Sequence, residues 1–383
     1  MMLTRMSHGM RAVLNRRGAG LCVLLLSMAL VACADRPVVP APKEACVVID
    51  NDYDIDDMMA LPMVVANQPV AAVVQSEGYS LPQVSAPAVA RLINAPSALA
   101  NGRAIPVIVG SRASQPVDLA RWPWLTFFRN MMARSNGFLP SPPVPAQPEP
   151  EYPVKLQQAV SHCQSVSVLI VGTYSSFVNY SPLIRHKIDK VVIMGKPMAR
   201  HARPQDKQSF NCAYDLQACR QAMVQLQGLS SFFVDIPRVE GCDGPAPPLP
   251  SCYSPTLDMV QGQGGQGGLR DQGLPGRLKQ ALINDFDCHA VFTPGMPAVP
   301  GTACTSRSTW VPTEVMAGPG GKMLFWDQTA ALFLLYPDLF ALNTESAVDE
   351  VPGHFEPRLV NGSHAQTIQR LRTLWTESTN RDQ

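Results

Sequence analysis

The sequence predicts an α/β fold: a mostly parallel open sheet with helices on both faces, and a Gly/Pro/Cys-rich insertion. Three observations predict it. From Cys46 onward, short β-branched runs alternate with longer helical patterns. The strand runs, such as Val166-Ser167-Val168-Leu169-Ile170-Val171, are apolar almost throughout, as strands covered on both faces are. Hydrophobic residues make up 46% of the 383 residues and charged ones 16%, which suits a large core and excludes wholesale disorder.

Cys46 to Ile49 reads as a buried strand and Asp56 to Ala66 as the helix after it. Val70 to Gln75 and Leu81 to Ile93 repeat the pair, and Ile105 to Val109 is a third strand. Leu119 to Ala133 carries a helical, aromatic-rich pattern. Val166 to Val171 and Lys190 to Met194 are two more buried strands. Tyr214 to Leu226 reads as a helix and Ser231 to Val234 as a strand. Residues 240–305 are rich in Gly, Pro, Gln and Cys and break the rhythm as an insertion. A helix over Met323 to Leu335 and a last amphipathic one, from the N-cap Ser363 to Glu377, complete the pattern.

The amino terminus reads as a targeting segment. Arg5, Arg11, Arg16 and Arg17 precede an apolar run, Leu21 to Val31, that is short for a bilayer span. Leu30-Val31-Ala32-Cys33 resembles the lipobox of bacterial lipoproteins, so residues 1–33 are expected to be a lipoprotein signal peptide. Cys33 would be the acylated first residue of the mature chain, residues 34–44 a tether, and 45–383 the folded domain. The expected location is the periplasmic side of a bacterial membrane, with Ala34 rather than Asp after Cys33 favouring the outer one, and with membrane contact through the lipid anchor only. A net charge of +1 provides no field for nucleic acid. Oligomeric state is not legible; a homo-oligomer is compatible with the sequence.

Beyond Cys22 and Cys33, eight cysteines remain, an even set that permits disulfides in an oxidising compartment. Cys242/Cys252 and Cys288/Cys304 close short loops and are the expected pairs. Zinc is disfavoured because no Cys-x-x-Cys is present.

The chemistry is concentrated in Asp50-Asn51-Asp52-Tyr53-Asp54-Ile55-Asp56-Asp57, directly after the first strand. Open parallel sheets bind ligands at the carboxyl ends of strands. So many adjacent carboxylates need a cation or raised pKa values, and an all-oxygen set favours Ca²⁺ or Mg²⁺. An EF-hand is excluded, because its sixth and twelfth positions would be Ile55 and Leu61. Asp50-x-Asp52 after a strand also resembles the haloacid-dehalogenase-like phosphatases, whose later elements are not evident. A solvated acidic loop is the bland alternative.

The segment Val48 to Leu61, VIDNDYDIDDMMAL, resembles the amino-terminal signature of the nucleoside hydrolases, D-x-D-P-G-x-D-D followed by a helix. Weaker matches follow in order: Ile105 to Gly110; Val171 to Ser176; Val191 to Gly195; Phe210-Asn211 with Asp215; and Trp326-Asp327 opening a helix before Tyr336 to Phe340. The resemblance implies an α/β domain that binds one Ca²⁺ and hydrolyses the N-glycosidic bond of ribonucleosides. Asp52, Asp57 and Asp327 would be side-chain ligands of Ca²⁺, and Ser175 a ligand through its carbonyl. Asp52 would also be the general base. Asp56 and Asn211 would bind ribose hydroxyls, Met194 would line the sugar site, and Tyr79 stands where a polar substrate contact is usual. Trp326 replaces the His of pyrimidine-accepting members and resembles the purine-preferring subgroup, with Trp122 or Trp124 as a second stacking partner or as packing. His201 and His289 are further candidates to reach the leaving base. Tyr53-Asp54 replaces the family's Pro-Gly, so the metal carboxylates are kept while part of the ribose shell changes. Loss of turnover, leaving a nucleoside- or calcium-binding lipoprotein, is the alternative.

Overall fold

The computed structural model describes residues 44–94, 104–122, 125–126, 129, 151–196, 198, 208–236, 260, 262, 267–280, 282, 326–342, 353–357 and 362–381. Cys33, the tether up to residue 43, Trp124, His201, His289 and most of the 240–305 insertion lie outside them, while Glu44, expected to end the tether, opens the first strand. So do most of the helix expected over Leu119 to Ala133 and the cysteines 242, 252, 288 and 304.

The chain builds one eight-stranded sheet in the order β3-β2-β1-β4-β5-β6-β8-β7. Its strands are β1 (Glu44–Asn51), β2 (Val70–Gln75), β3 (Val107–Val109), β4 (Cys163–Ile170), β5 (Ile188–Met194), β6 (Ser230–Val234), β7 (Phe340–Leu342) and β8 (Gly353–Pro357). Every pairing is parallel except β7 with β8. The helices are α1 (Ile55–Asn67), α2 (Pro82–Ile93), α3 (Tyr152–Ala159), α4 (Phe177–Ile184), α5 (Phe210–Tyr214), α6 (Leu216–Gln225), α7 (Trp326–Leu335) and α8 (His364–Thr379).

Strand alternation separates two cores. Val47 and Ile49 of β1 face the core under α1, α2, α7 and α8. Cys46 and Val48 face the core under α3, α4 and α6. Both faces of β1 are therefore apolar, which is why the strand reads as one continuous hydrophobic run. The last helix is bolted to the first: Trp375 is fully buried and its Nε1 donates to the Met59 carbonyl at 2.9 Å, while Asn67 Nδ2 donates to the Ser378 carbonyl at 2.8 Å. Among the described residues, no helix is long and apolar enough to cross a membrane.

The expected architecture is the one found, with three local corrections. The helix expected over Tyr214 to Leu226 is α6 and starts only at Leu216, because Asp215 caps it by accepting from Ala218 N; Tyr214 instead closes the separate short helix α5. The third strand starts at Val107 rather than Ile105, because Asn94 takes both backbone groups of Ile105 in side-chain hydrogen bonds of 2.7 Å. Helices α3 and α4 and strands β7 and β8 lacked a periodic signal; α4 contains Pro182 and no charged residue.

The disulfides pair distant and near cysteines alike. Cys46 on β1 joins Cys163 on β4 across 117 residues, and Cys212 joins Cys219 across 7. The two loop pairs expected from spacing fall outside the described residues.

Candidate active site

The strand order reverses between β1 and β4, the kind of switch point at which open α/β sheets bind ligands beyond the strands' carboxyl ends. β1 delivers Asp50, Asn51 and Asp52 to that point. The chain then turns sharply at Tyr53, the one non-glycine residue with positive φ (55°) among those described. A buried aromatic in that region costs roughly 1–3 kcal/mol. The turn is held by Ser80 Oγ, which donates to the Tyr53 carbonyl at 2.8 Å, and by the start of α1. There Asp54 caps the helix: its Oδ1 accepts from Asp56 N at 3.0 Å and Asp57 N at 3.3 Å, and Asp57 Oδ2 accepts from Asp54 N at 3.0 Å. This capping box aims the first turn of α1, and the positive end of its dipole, at the site.

Asp327, 275 positions after Asp52 in the sequence, arrives on the first turn of α7. It lies against Asp57 and Asp56, and Asp57 in turn lies against Asp52. The four carboxylates are all buried. Asp56 Oδ1, Asp57 Oδ1 and Asp327 Oδ1 receive no hydrogen bond from any described donor. Carboxylate oxygens of Asp54, Asp56 and Asp327 fall within 4.8 Å of one another.

Burial is the leading cause of every pKa rise here. It pushes Asp52 up to about 6, against the opposing backbone hydrogen bond from Tyr79. Burial and the charge of Asp52 bring Asp56 to about 7. Asp57 and Asp327 rise well above the ordinary carboxylate value, by burial first and by their acidic neighbours second. Orphaned, hard oxygen donors sharing a dry crevice match a cation such as Ca²⁺, which would relieve the repulsion.

The loop after β2 closes the other side. Ser76 N donates to the Asn51 carbonyl at 2.8 Å and Ser80 N to the Asp52 carbonyl at 2.9 Å, so the loop zips along the end of β1. Tyr79 N donates to Asp52 Oδ2 at 2.9 Å and fixes that carboxylate. Gly78 is required here: a Cβ would lie 1.8 Å from Asp52 Oδ2. Gly172 likewise lets the turn after β4 approach the Asn51–Asp52 backbone, with a Cβ only 2.7 Å from either atom. Asp50 turns away to Ser76 Oγ at 2.5 Å, and burial raises it to about 7.

The other expected site residues divide. Tyr79 sits beside the carboxylates: burial, then the charges of Asp56, Asp52, Asp327 and Asp57, drive its phenol pKa well upward. Its ring meets Phe210 at 4.9 Å, and Trp122 joins that cluster 5.7 Å from both Phe210 and Tyr214. Trp326 is half-buried next to Asp327, and its buried Nε1 has no hydrogen-bond acceptor among the described residues. Met194 lies buried at the carboxyl end of β5. Asn211 directs its amide at the Val171 carbonyl, 2.7 Å away, tying α5 to the end of β4. The Ser175 carbonyl accepts from Asn179 Nδ2 at 3.0 Å, and its hydroxyl donates to Asp215 Oδ2 at 2.8 Å. A carbonyl has two lone pairs, so one remains for another partner.

Sequence reasoning missed a second acidic centre. Glu77 accepts from Arg112 Nε, from Tyr214 OH at 2.8 Å, from Ala113 N at 3.1 Å and from Arg129 Nη2 at 3.2 Å. Arg129 also donates to the Gly78 carbonyl at 2.9 Å, so it anchors the loop that holds Asp52. The available signal was a Glu-Gly pair right after a strand; its partners lie 35 or more positions away and show no spacing.

No protein-family model and no curated protein sequence matches the chain. Solved structures do. A purine-preferring ribonucleoside hydrolase from Gardnerella vaginalis superposes with a TM-score of 0.54 at 13% identity, covering 88% of this chain and 99% of that one. A plant nucleoside hydrolase gives 0.54 at 14% identity, with 88% and 99% covered. A type III effector protein solved with adenosine diphosphate ribose gives 0.51 at 16% identity, with 94% and 98% covered. The chain has the nucleoside-hydrolase fold.

Proposed function

We propose that the protein is a calcium-dependent N-ribosyl hydrolase that cleaves purine ribonucleosides to free base and ribose. The observation that supports this reading is the convergence of Asp52, Asp56, Asp57 and Asp327, with orphaned buried oxygens, at the switch point of this fold. Asp52, Asp57 and Asp327 would hold the ion, with the Ser175 carbonyl as a further donor. A bound Ca²⁺ would supply a site that orients water and lowers its pKa.

The chain's own residues provide the rest. Asp52, steadied by Tyr79 N, takes the proton of the attacking water, a step worth about 10²–10⁴-fold. Negative charge from the cluster favours the oxocarbenium-like sugar of the transition state. Asp56 accepts from ribose hydroxyls, with Asn211 and Met194 around the sugar. Trp326 stacks on the departing base, and base–aromatic stacking contributes about 1–3 kcal/mol. This is the basis for the purine preference.

A reducing-sugar assay over a nucleoside panel, with and without chelator, tests the reading. Ribose release from inosine or guanosine that chelator abolishes is the expected result. Ligand binding without release from any nucleoside would instead favour a binding protein that has lost turnover.

We also propose that the mature chain begins at acylated Cys33 and faces the periplasm. The support is the lipobox-like Leu30 to Cys33. Cys33→Ser should move the protein from the membrane to the soluble fraction.

A further inference from the structure

A second constellation lies toward the amino ends of β1 and β4, unconnected with the carboxylates beyond their carboxyl ends. Cys46, near the start of β1, and Cys163, the first residue of β4, are joined there with their Cα atoms 5.7 Å apart. The two sulfurs are buried, and the exposed imidazole of His162 stands over them. His162 Nε2 lies 3.8 Å from Cys46 Sγ and 3.7 Å from Cys163 Sγ. The ring thus faces both sulfurs at nearly equal range.

That placement is built. His162 sits in the turn between α3 and β4, and Lys187 Nζ clamps the turn. It donates to the carbonyls of Val160 at 2.8 Å, Ser161 at 2.9 Å and Cys163 at 3.0 Å. Lys187 thereby fixes the backbone on both sides of His162.

The distances are those of a metal ligand set. Zn–S bonds of about 2.3 Å and Zn–N bonds of about 2.0 Å at tetrahedral angles put N and S about 3.6 Å apart. His162 Nε2 already has that spacing from both sulfurs. Only the sulfurs must separate, to about 3.8 Å, by side-chain rotation. The exposed side of His162 leaves a fourth position to water.

We propose that Cys46, Cys163 and His162 form a redox-gated site for a soft divalent cation of the zinc class. In the disulfide state the site is closed to metal and staples β1 to β4. A dithiol opens it: the dithiol gives two electrons and two protons and becomes a disulfide, and the Cys46–Cys163 bond becomes two thiols. Each thiol loses its proton as the cation binds, and neutral His162 supplies the third ligand.

Cobalt(II) titration of the intact reduced protein tests this, because thiolate-to-cobalt charge-transfer absorption reports sulfur ligation and is silent for carboxylate sites. Dithiol-treated wild type should gain one charge-transfer equivalent that Cys46→Ser/Cys163→Ser lacks and that zinc displaces. His162→Ala, a surface change that keeps every cysteine, should weaken that equivalent by at least about tenfold. The oxidised protein should show no such band. Three results would overturn the proposal. One is a Cys46–Cys163 bond that a dithiol leaves closed in the folded protein. Another is a wild-type signal that survives in the double serine variant. The third is cobalt affinity unchanged in His162→Ala.

Discussion

Two acidic centres meet across the Glu77–Tyr79 loop and are treated in opposite ways. Glu77 is surrounded by donors: Arg112, Arg129, Tyr214 and Ala113 N. Burial works to raise its pKa, yet these partners outweigh it and hold it below 4.5. Asp52, Asp56, Asp57 and Asp327 are buried as deeply, and burial raises all four; the pull of Arg129 on Asp52 does not offset it. Satisfied charge makes architecture, whereas unsatisfied charge is what the proposed cation would answer. The Arg129 contacts join the two: the compensated centre holds the Gly78–Tyr79 loop against the uncompensated one.

The sharpest break in this contrast is Asp52→Ala. Ribose release should fall by about 10²–10⁴-fold, with circular dichroism and melting in chelator unchanged or improved. Gly78→Ala comes next. Its new Cβ collides with Asp52 Oδ2, so kcat/KM should drop by roughly 10²-fold through displacement of one carboxylate. Glu77→Gln strikes the other centre. It leaves Arg129 with an uncompensated, mostly buried charge and should cost about 3 kcal/mol in denaturant unfolding, with or without calcium.

Calcium itself sharpens the comparison. At a hundredfold excess over its Kd it should stabilise the fold by about 2.7 kcal/mol, and Asp327→Asn should remove most of that gain in calorimetry. Protons supply the smallest test, and the two centres have opposite signs. Asp52 and Asp56 are raised from 3.8 to about 6 and about 7, and Asp57 and Asp327 also rise, so in chelator the native state keeps protons that the unfolded chain has lost. Stability should then fall as pH rises from about 4 to 8, and the increment due to calcium should grow over the same range. Glu77 is depressed, so its contribution is present above 4.5 and is lost as pH falls through its lower folded value. In Glu77→Gln, the acid limb of the unfolding profile should flatten.

The same contrast explains what the sequence revealed. β1 and α1 were legible because an apolar strand core, Cys46 to Ile49, a cap and an acidic first turn sit within one short segment. Asp327 was legible only through the resemblance, since nothing in its own neighbourhood links it to Asp52. Asp54 looked like one more carboxylate of the cluster; its role as a cap depends on a backbone turn at Tyr53 that composition does not announce. Glu77 was invisible, because its charge is cancelled by arginines from separate segments. The Cys46–Cys163 bond was hidden likewise: spacing favours short loops, whereas strand adjacency in a parallel sheet brings together residues 117 apart.

The indole of Trp375, anchored on the Met59 carbonyl, ties the carboxyl-terminal helix to the very helix that presents Asp56 and Asp57. A protease trimming the chain's end would therefore slacken the seat of those two carboxylates without touching either of them.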